Sequence, residues 1–247
     1  FLEIWPYAGS LITRSINDCL ESGTLPSKQR EGVIVLIPKQ DKDQRIIGNL
    51  RPITLLNCYY KIISGVITNR MKPVLQKLIG NHQKAYLPGR YIGECTRTVY
   101  DIMNYAINNE IPSMAMLVDF KKAFDSVSHA FIRNALRKFN FDEKFVNWIN
   151  TLLTDFKSRT LVNGCLGDTI NLERGCRQGD PIAGYLFILA IEILLLKLFA
   201  SKTITPWTSK KNLQTMAEGY ADDLTLLLKS LGYKEDLKQL NEILDIL

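Results

Sequence analysis

The stretch Ile182–Ala200 (IAGYLFILAIEILLLKLFA) is apolar almost without interruption, and a segment of that length either crosses a bilayer or lies at the centre of a folded core. Glu192 and Lys197 decide between the two, because a charged side chain at mid-bilayer costs about 2.5–3.5 kcal/mol even on insertion scales. The preceding Arg177-Gln178-Gly179-Asp180-Pro181 puts proline at the first turn of a helix, so a buried core helix is expected and no membrane partner. The rest of the chain can supply the apolar surface such a helix needs. Of its 247 residues 46% are hydrophobic and 23% charged, ordinary values for a globular protein that exclude disordered and low-complexity classes. The net charge of +6 suits a phosphate backbone without requiring one.

The other elements are expected to mix helices with short strands and hairpins, an α+β architecture without a linker or internal repeat. Ile12, Ile16 and Leu20 mark a first helix that stops before Gly23, and Val33–Ile37 is a β-branched strand. The polar loop 39–49 leads to a second extended segment at 51–56, together a basic β-hairpin. Asn57 is positioned to cap a helix carrying Ile62, Ile63, Val66 and Ile67, and Pro73 is expected to open a separate one. Val99, Ile102, Met103 and Ala106 mark the next helix, and Ser113–Val118 reads as a strand covered on both faces that ends at Asp119. Ser128 is expected to cap a helix running to Phe139. Phe145, Trp148, Ile149, Leu152, Leu153 and Phe156 then recur at three- and four-residue steps, the cleanest amphipathic pattern in the chain. Asn163-Gly164 signals a hairpin with a loop longer than two residues. A second hairpin is expected to carry Asp222 and Asp223 at its tip, and a last helix is marked by Leu237, Leu240, Ile243, Leu244 and Leu247.

Five scattered cysteines and two histidines 47 residues apart give neither a disulfide framework nor a zinc or paired-histidine motif, so any metal must be held by carboxylates. Reduced thiols point to a cytoplasmic or nuclear, intracellular setting. Two acidic sites stand out, Asp119 closing one apolar strand and Asp222-Asp223 opening another. Taken singly, each reads better as a solvated turn residue than as part of a catalytic site. Brought together by a sheet, they repel one another, and hard divalent cations relieve that cost. Two Mg²⁺ ions about 3.5–4 Å apart would then serve an in-line phosphoryl transfer.

With these residues in view the chain resembles the reverse transcriptases of non-LTR (LINE-type) retrotransposons. LIPK (36–39) with NLRPITLLNCYYKIIS (49–64), QKAYLPGRYIGECTR (83–97), LVDFKKAFD (117–125), RGCRQGDP (174–181) and YADD (220–223) are similar to five successive family blocks in the family's order. The resemblance implies a right-hand polymerase fold spanning 1–247, about 1–112 mainly fingers and about 113–247 mainly palm. It also implies an antiparallel palm sheet backed by helices, with the thumb and endonuclease regions expected on a longer parent product, of which this chain, beginning at Phe1, is a piece. The implied activity is RNA-directed DNA polymerisation on an RNA template, adding dNTP to a DNA primer.

The resemblance further implies roles for particular residues. Asp119 and Asp222 hold two Mg²⁺ ions, or Mn²⁺ in their place, and Asp223 supports the site. Phe124, five residues after Asp119, is the ring that leaves no room for a 2′-hydroxyl. Lys39 and Arg51, with Arg45 as a rival, contact the triphosphate. Gln178 and Gly179 pack the template base and incoming nucleotide against backbone, and Arg90 follows template phosphate. Asp125 is expected to cap the helix that follows it. The wording departs from the family at Tyr86, and at Ala183-Gly184 where serine and proline are usual. Those departures leave open an alternative, a catalytically inactive remnant that folds and binds nucleic acid only.

Overall fold

The computed structural model describes residues 3–202, 204–229 and 240. In chain order it contains α1 (Trp5–Ser22), β1 (Glu31–Pro38), β2 (Leu50–Leu56), α2 (Cys58–Leu78), α3 (Ile92–Asn108), β3 (Met114–Val118), α4 (Ala123–Ser126), α5 (His129–Lys138) and α6 (Glu143–Leu153). These are followed by β4 (Phe156–Val162), β5 (Cys165–Leu172), α7 (Ala183–Phe199), β6 (Trp207–Thr208), β7 (Gln214–Thr215), β8 (Ala217–Tyr220) and β9 (Asp223–Leu228). The chain divides into two compact units, residues 1–69 with 128–183 and residues 70–127 with 184–247. A single partition near residue 112 does not follow this division. Parallel pairing of β1 with β4 draws residues 128–183 into the unit of the N-terminal segment.

In the first unit the sheet runs β2-β1-β4-β5. The β1–β2 hairpin is antiparallel with Val35 opposite Ile53, as its two β-branched runs lead one to expect. The β4–β5 turn is a two-residue one after all: Val162 pairs with Cys165, and Asn163 and Gly164 both take the positive φ that such a turn demands. Ser128 caps α5 by accepting from the Phe131 amide at 3.0 Å, and Asp142 caps α6. The amphipathic pattern of α6 holds through Leu153, but Phe156 belongs to β4, because the chain is extended from Asp155 onward. Periodicity alone does not register that change when the next apolar residue falls in step.

The core of this unit contains a polar knot. Arg177 lies between aromatic rings, its guanidinium carbon 3.7 Å from the centre of the Phe156 ring and 4.8 Å from that of Tyr60. It donates to Asp180 at 2.7 Å and to the Leu152 carbonyl at 3.1 Å. Asp180 also accepts from the Tyr60 hydroxyl at 2.7 Å and from the Ser64 hydroxyl. Burial first, and Asp180 with it, pushes the Tyr60 phenol well above its ordinary range, so it remains a donor. The knot ties residues 177–180 to α2 and to the end of α6.

In the second unit an antiparallel sheet runs β3-β9-β8. The Ile182–Ala200 segment forms α7, and Phe187, Ile188, Ile191, Leu194 and Leu195 are essentially inaccessible. Among the described residues no helix is long and apolar enough to cross a membrane. Glu192 is buried because it is paired: one carboxylate oxygen lies 2.9 Å from His82 Nε2 and the other accepts from the Gly80 amide. Asn57 caps α2, as expected, by accepting from the Tyr59 amide. However, α2 continues through Pro73 without ending, since Met71 and Leu75 are buried while Pro73 faces solvent, where a missing N–H costs least. The strand β3 is not covered on both faces: it is the edge of its sheet, and Leu117 is 86% exposed. All five thiols are free. Of the last expected helix only Leu240 is described, helical and buried; the remainder lies outside the described residues.

Asp180→Ala leaves the Arg177 charge buried without its carboxylate, so a loss of about 3–5 kcal/mol is expected in equilibrium urea unfolding. A loss below about 1 kcal/mol would show that the knot is not the anchor of this unit.

Candidate active site

The acids of the second unit are set by backbone geometry. In the β8–β9 hairpin Tyr220 pairs with Asp223, so Ala221 and Asp222 form the whole turn and Asp223 already belongs to β9. The tip therefore carries one acid, not two. Ala221 is buried with φ +57°, a left-handed conformation that costs a non-glycine residue about 1–2 kcal/mol. Gln83, fully buried, holds it there. Its side-chain amide donates to the Ala221 carbonyl at 3.2 Å and accepts from the Ala221 amide at 2.9 Å and from the Ala85 amide at 3.0 Å. On either side of Gln83, Gly219 donates to His82 and Lys84 donates to Gly219. Residues 82–85 thus dock along β8. Gln83 carried no role in the sequence reading; its only signal was its place at the head of the QKAYLPGR block.

β3 pairs with β9 through Val118 and Leu224, and one further step of that register sets Asp119 opposite Asp223. Asp119 and Asp223 are exposed, and Asp222 is half-buried. Burial, then the charges of Asp223 and Asp119, raise the Asp222 carboxyl above its ordinary value, against a lowering by its own backbone. All three expected acids therefore fall in one place, and Asp222 feels the charge of the other two. Among the described residues no three His, Cys, Asp or Glu side chains form a group that could hold a metal by themselves. Crowded carboxylates of this kind suit Mg²⁺, which binds through one or two carboxylates and completes its shell with water and phosphate oxygens.

Phe124, in α4, stacks on Phe187 with centroids 4.2 Å apart, and Tyr86 meets it edge-on at 6.3 Å. Burial, and then Asp222 and Tyr220, raise the Tyr86 phenol. The ring expected as a gate thus belongs to an aromatic group adjoining Asp222. Asp125 lies inside α4 and caps nothing, since Ser128 does that work for α5; burial raises its carboxyl, with Lys122 opposing. Arg90 also needs correction. Its two terminal nitrogens donate to the carbonyls of Gly80, Gln83 and Ile79 at 2.6–3.0 Å, so the guanidinium is engaged in closing the end of α2 and not displayed to a phosphate backbone.

Behind β8, Glu218 is 9% exposed and its Oε2 has no hydrogen-bond partner. Burial pushes this carboxyl up to about 6, with Lys84 and His82 pulling it down and Glu94 opposing them.

Lys39, Arg51, Gln178 and Gly179 fall in the first unit. Lys39 follows β1 and donates to the Gly48 carbonyl across the loop, and Arg51 pairs opposite Ile37. Arg45, the rival, is held by Asp43 through two nitrogens. Gln178 accepts from the Thr54 amide at 2.8 Å, which seats the loop on β2. At Gly179 φ is +108°, and a Cβ would lie 2.6 Å from the Thr54 carbonyl oxygen. Glycine is thus required twice over, by conformation and by contact. His129, unassigned from sequence, approaches the Gly175 carbonyl at 3.1 Å and steadies the other end of the loop; burial lowers its pKa.

Residues 37–247 match the family described as reverse transcriptase (RNA-dependent DNA polymerase). The chain is 31% identical over 98% of its length to a transposon TX1 uncharacterized 149 kDa protein of Xenopus laevis, covering 18% of that protein. It is 28% identical over 83% of its length to a retrovirus-related Pol polyprotein from the type-1 retrotransposable element R2 of Popillia japonica, covering 28%. It is 24% identical over 93% to an RNA-directed DNA polymerase from the mobile element jockey of Drosophila melanogaster, covering 24%. The chain spans less than a third of each of these relatives. Among solved structures, apo telomerase of Candida tropicalis superposes with a TM-score of 0.56 at 12% identity, over 90% of this chain and 47% of that one. At that identity the likeness is one of fold.

Two outcomes are expected. Gln83→Leu leaves the Ala221 peptide groups without their buried partners, which should cost about 2–4 kcal/mol in denaturant unfolding; a change within error would remove Gln83 as the clamp. Glu218 holds its proton more tightly folded than unfolded, about 6 against 4.5, so its contribution is full below pH 4.5 and is lost as the pH rises through 6. Glu218→Gln should therefore raise stability at pH 7 by on the order of 1–2 kcal/mol and leave it little changed at pH 4.5. A pH-independent effect would contradict this.

Proposed function

Because this chain belongs to the reverse transcriptase (RNA-dependent DNA polymerase) family, of the LINE-type retrotransposon kind, and has that family's fingers-and-palm α+β fold, we propose that it is the segment that copies RNA into DNA from dNTPs. The observation that carries this reading is the convergence of Asp119, Asp222 and Asp223 at the end of an antiparallel sheet, beside Phe124. The primer 3′-hydroxyl gives up its proton to solvent as its oxygen bonds to the α-phosphate of the bound dNTP, the bond between the α-phosphorus and the bridging oxygen breaks, and pyrophosphate leaves. Asp119 and Asp222 would hold the divalent cations, with Asp223 supporting the site. When bound, Mg²⁺ supplies charge neutralisation at the attacking and leaving oxygens. The turn clamped by Gln83 fixes Asp222 before substrate arrives, so no reorganisation is needed at the moment of reaction.

Phe124 lies under the sugar and excludes a 2′-hydroxyl by bulk. Lys39 and Arg51 grip triphosphate oxygens, Arg51 as a planar fork and Lys39 as a point charge. Gln178 and Gly179 offer the nascent base pair a smooth backbone surface. Residues of about 1–112 serve mainly as fingers and those of about 113–247 mainly as palm. An RNA template and a DNA primer are the partners, and the cytoplasm or nucleus the setting.

The inactive-remnant reading stands as the alternative, motivated by the departures at Tyr86 and Ala183-Gly184 and by the expectation that the chain is a piece of a longer product. Gly184 has packing of its own against Tyr86, which favours a working arrangement over decay.

In Mg²⁺-dependent primer extension on an RNA template, Asp222→Ala should reduce extension on the order of a hundred- to a thousandfold. Extension that survives the substitution overturns the metal assignment, and none from the unsubstituted chain favours the remnant. Phe124→Ala should raise ribonucleotide use relative to dNTP by roughly ten- to a hundredfold, and unchanged sugar discrimination removes the gate.

A further inference from the structure

Two residues that depart from the family wording, Tyr86 and Gly184, meet in space. Both lie in the second unit. A Cβ on residue 184 would sit 2.6 Å from Cδ1 and Cε1 of Tyr86 and 2.8 Å from Cγ, so the ring lies on the bare backbone at the start of α7. Tyr86 itself has φ +62°, unusual for a bulky residue, and is 45% exposed. A strained backbone that delivers a half-exposed ring to one spot marks a constraint that the surroundings enforce.

Residues 184 and 187 are three apart on α7 and therefore share a face. Tyr86 covers the first and Phe124 stacks on the second, and the two covering rings meet edge-on. Phe124 is thus bounded on one side by Phe187 and on another by Tyr86, whose own position depends on the absence of a side chain at 184. Tyr185 adds a further contact to Tyr86 at 6.3 Å.

We propose that Tyr86, seated on Gly184, is a positioning residue for sugar selection: its ring fixes the placement of Phe124 beside the acids. This rests on the polymerase reading and deepens it, adding a residue pair that acts through the gate. The ring does the work, not the hydroxyl. Glycine at 184 is then a fitted partner of tyrosine at 86. A side chain at 184 lifts the Tyr86 ring, and Phe124 loses its lateral support.

The test is a double-substitution cycle in the full chain, read as the ratio of kcat/KM for dNTP and rNTP in primer extension and as thermal unfolding. Tyr86→Ala should lower sugar discrimination by roughly tenfold, and Tyr86→Phe should retain it. Gly184→Ala should lower discrimination, and the melting temperature by roughly 3–8 °C, only while an aromatic ring is present at 86. In the Tyr86→Ala background the same substitution should change neither. Independent, multiplying effects overturn the pairing, as does wild-type discrimination in Tyr86→Ala; loss of discrimination in Tyr86→Phe transfers the role to the hydroxyl and overturns the proposal as stated. Should Gly184→Ala alone not fold, recovery in the double variant supports the pairing and no recovery overturns it. Absence of dNTP extension by the unsubstituted chain removes the polymerase reading and this inference together, whereas extension with unaltered selection in the variants removes the inference alone.

Discussion

The second unit depends on one buried amide. A two-residue hairpin turn obliges the Ala221 backbone into a left-handed conformation, and Gln83 answers with a group that is donor and acceptor at once, the complement of a peptide. A carboxylate offers no donor and a hydrocarbon offers neither, so the position needs an amide and a reach of that length. The same side chain accepts from Ala85, which joins the turn to the segment that goes on to Tyr86. The placement of Asp222 and that of the aromatic group beside it therefore share an origin.

Buried polar pairs serve each unit in a comparable way. Arg177 with Asp180 in the first is an ion pair and His82 with Glu192 in the second a hydrogen-bonded pair, and in both the remaining capacity is taken up by hydroxyls or backbone. Such pairs return little net stability over a well-packed apolar replacement, because desolvation offsets their attraction. What they contribute is direction. The Arg177–Asp180 pair fixes both ends of a four-residue loop, and between those ends Gly179 comes against the Thr54 carbonyl and Gln178 bonds to its amide. A hydrophobic plug at 177 and 180 could fill the space without imposing that register.

Local physics explains which features were legible from residues alone. The Gly23 stop, the Asn57 and Ser128 caps and the apolar face of α6 are set within a few residues of chain, and such signals survive into the fold. The run of α2 through Pro73 and the exposed face of β3 are tertiary outcomes that override propensity and pattern. Pairing of β1 with β4 joins segments more than 120 residues apart, and no local signal announces it. At the site, the acids drew attention because Asp119 closes one apolar run and Asp222-Asp223 opens another. Arg90 was misread for a physical reason: a guanidinium satisfied by backbone carbonyls has the same sequence signature as one facing phosphate. The roles of Gln83 and Gly184 were not legible, because their partners are backbone atoms and a ring elsewhere in the chain.

The distribution of burial among the three acids bears on how the proposed chemistry is ordered. Asp222 is half-buried on a clamped turn, while Asp119 and Asp223 face solvent. Were all three enclosed, their mutual repulsion would drive proton uptake or demand a resident cation, and the charge needed for transfer would be spent before substrate arrived. With two of them hydrated, the repulsion is screened, and the Asp222 carboxyl is raised first by its burial and only then by the charges of Asp223 and Asp119. On the polymerase reading the cation shell is then completed only when a triphosphate adds its oxygens, which couples metal occupancy to nucleotide occupancy. On that same reading, a clamped acid flanked by hydrated ones would suit ions that arrive with substrate better than a permanently metallated site.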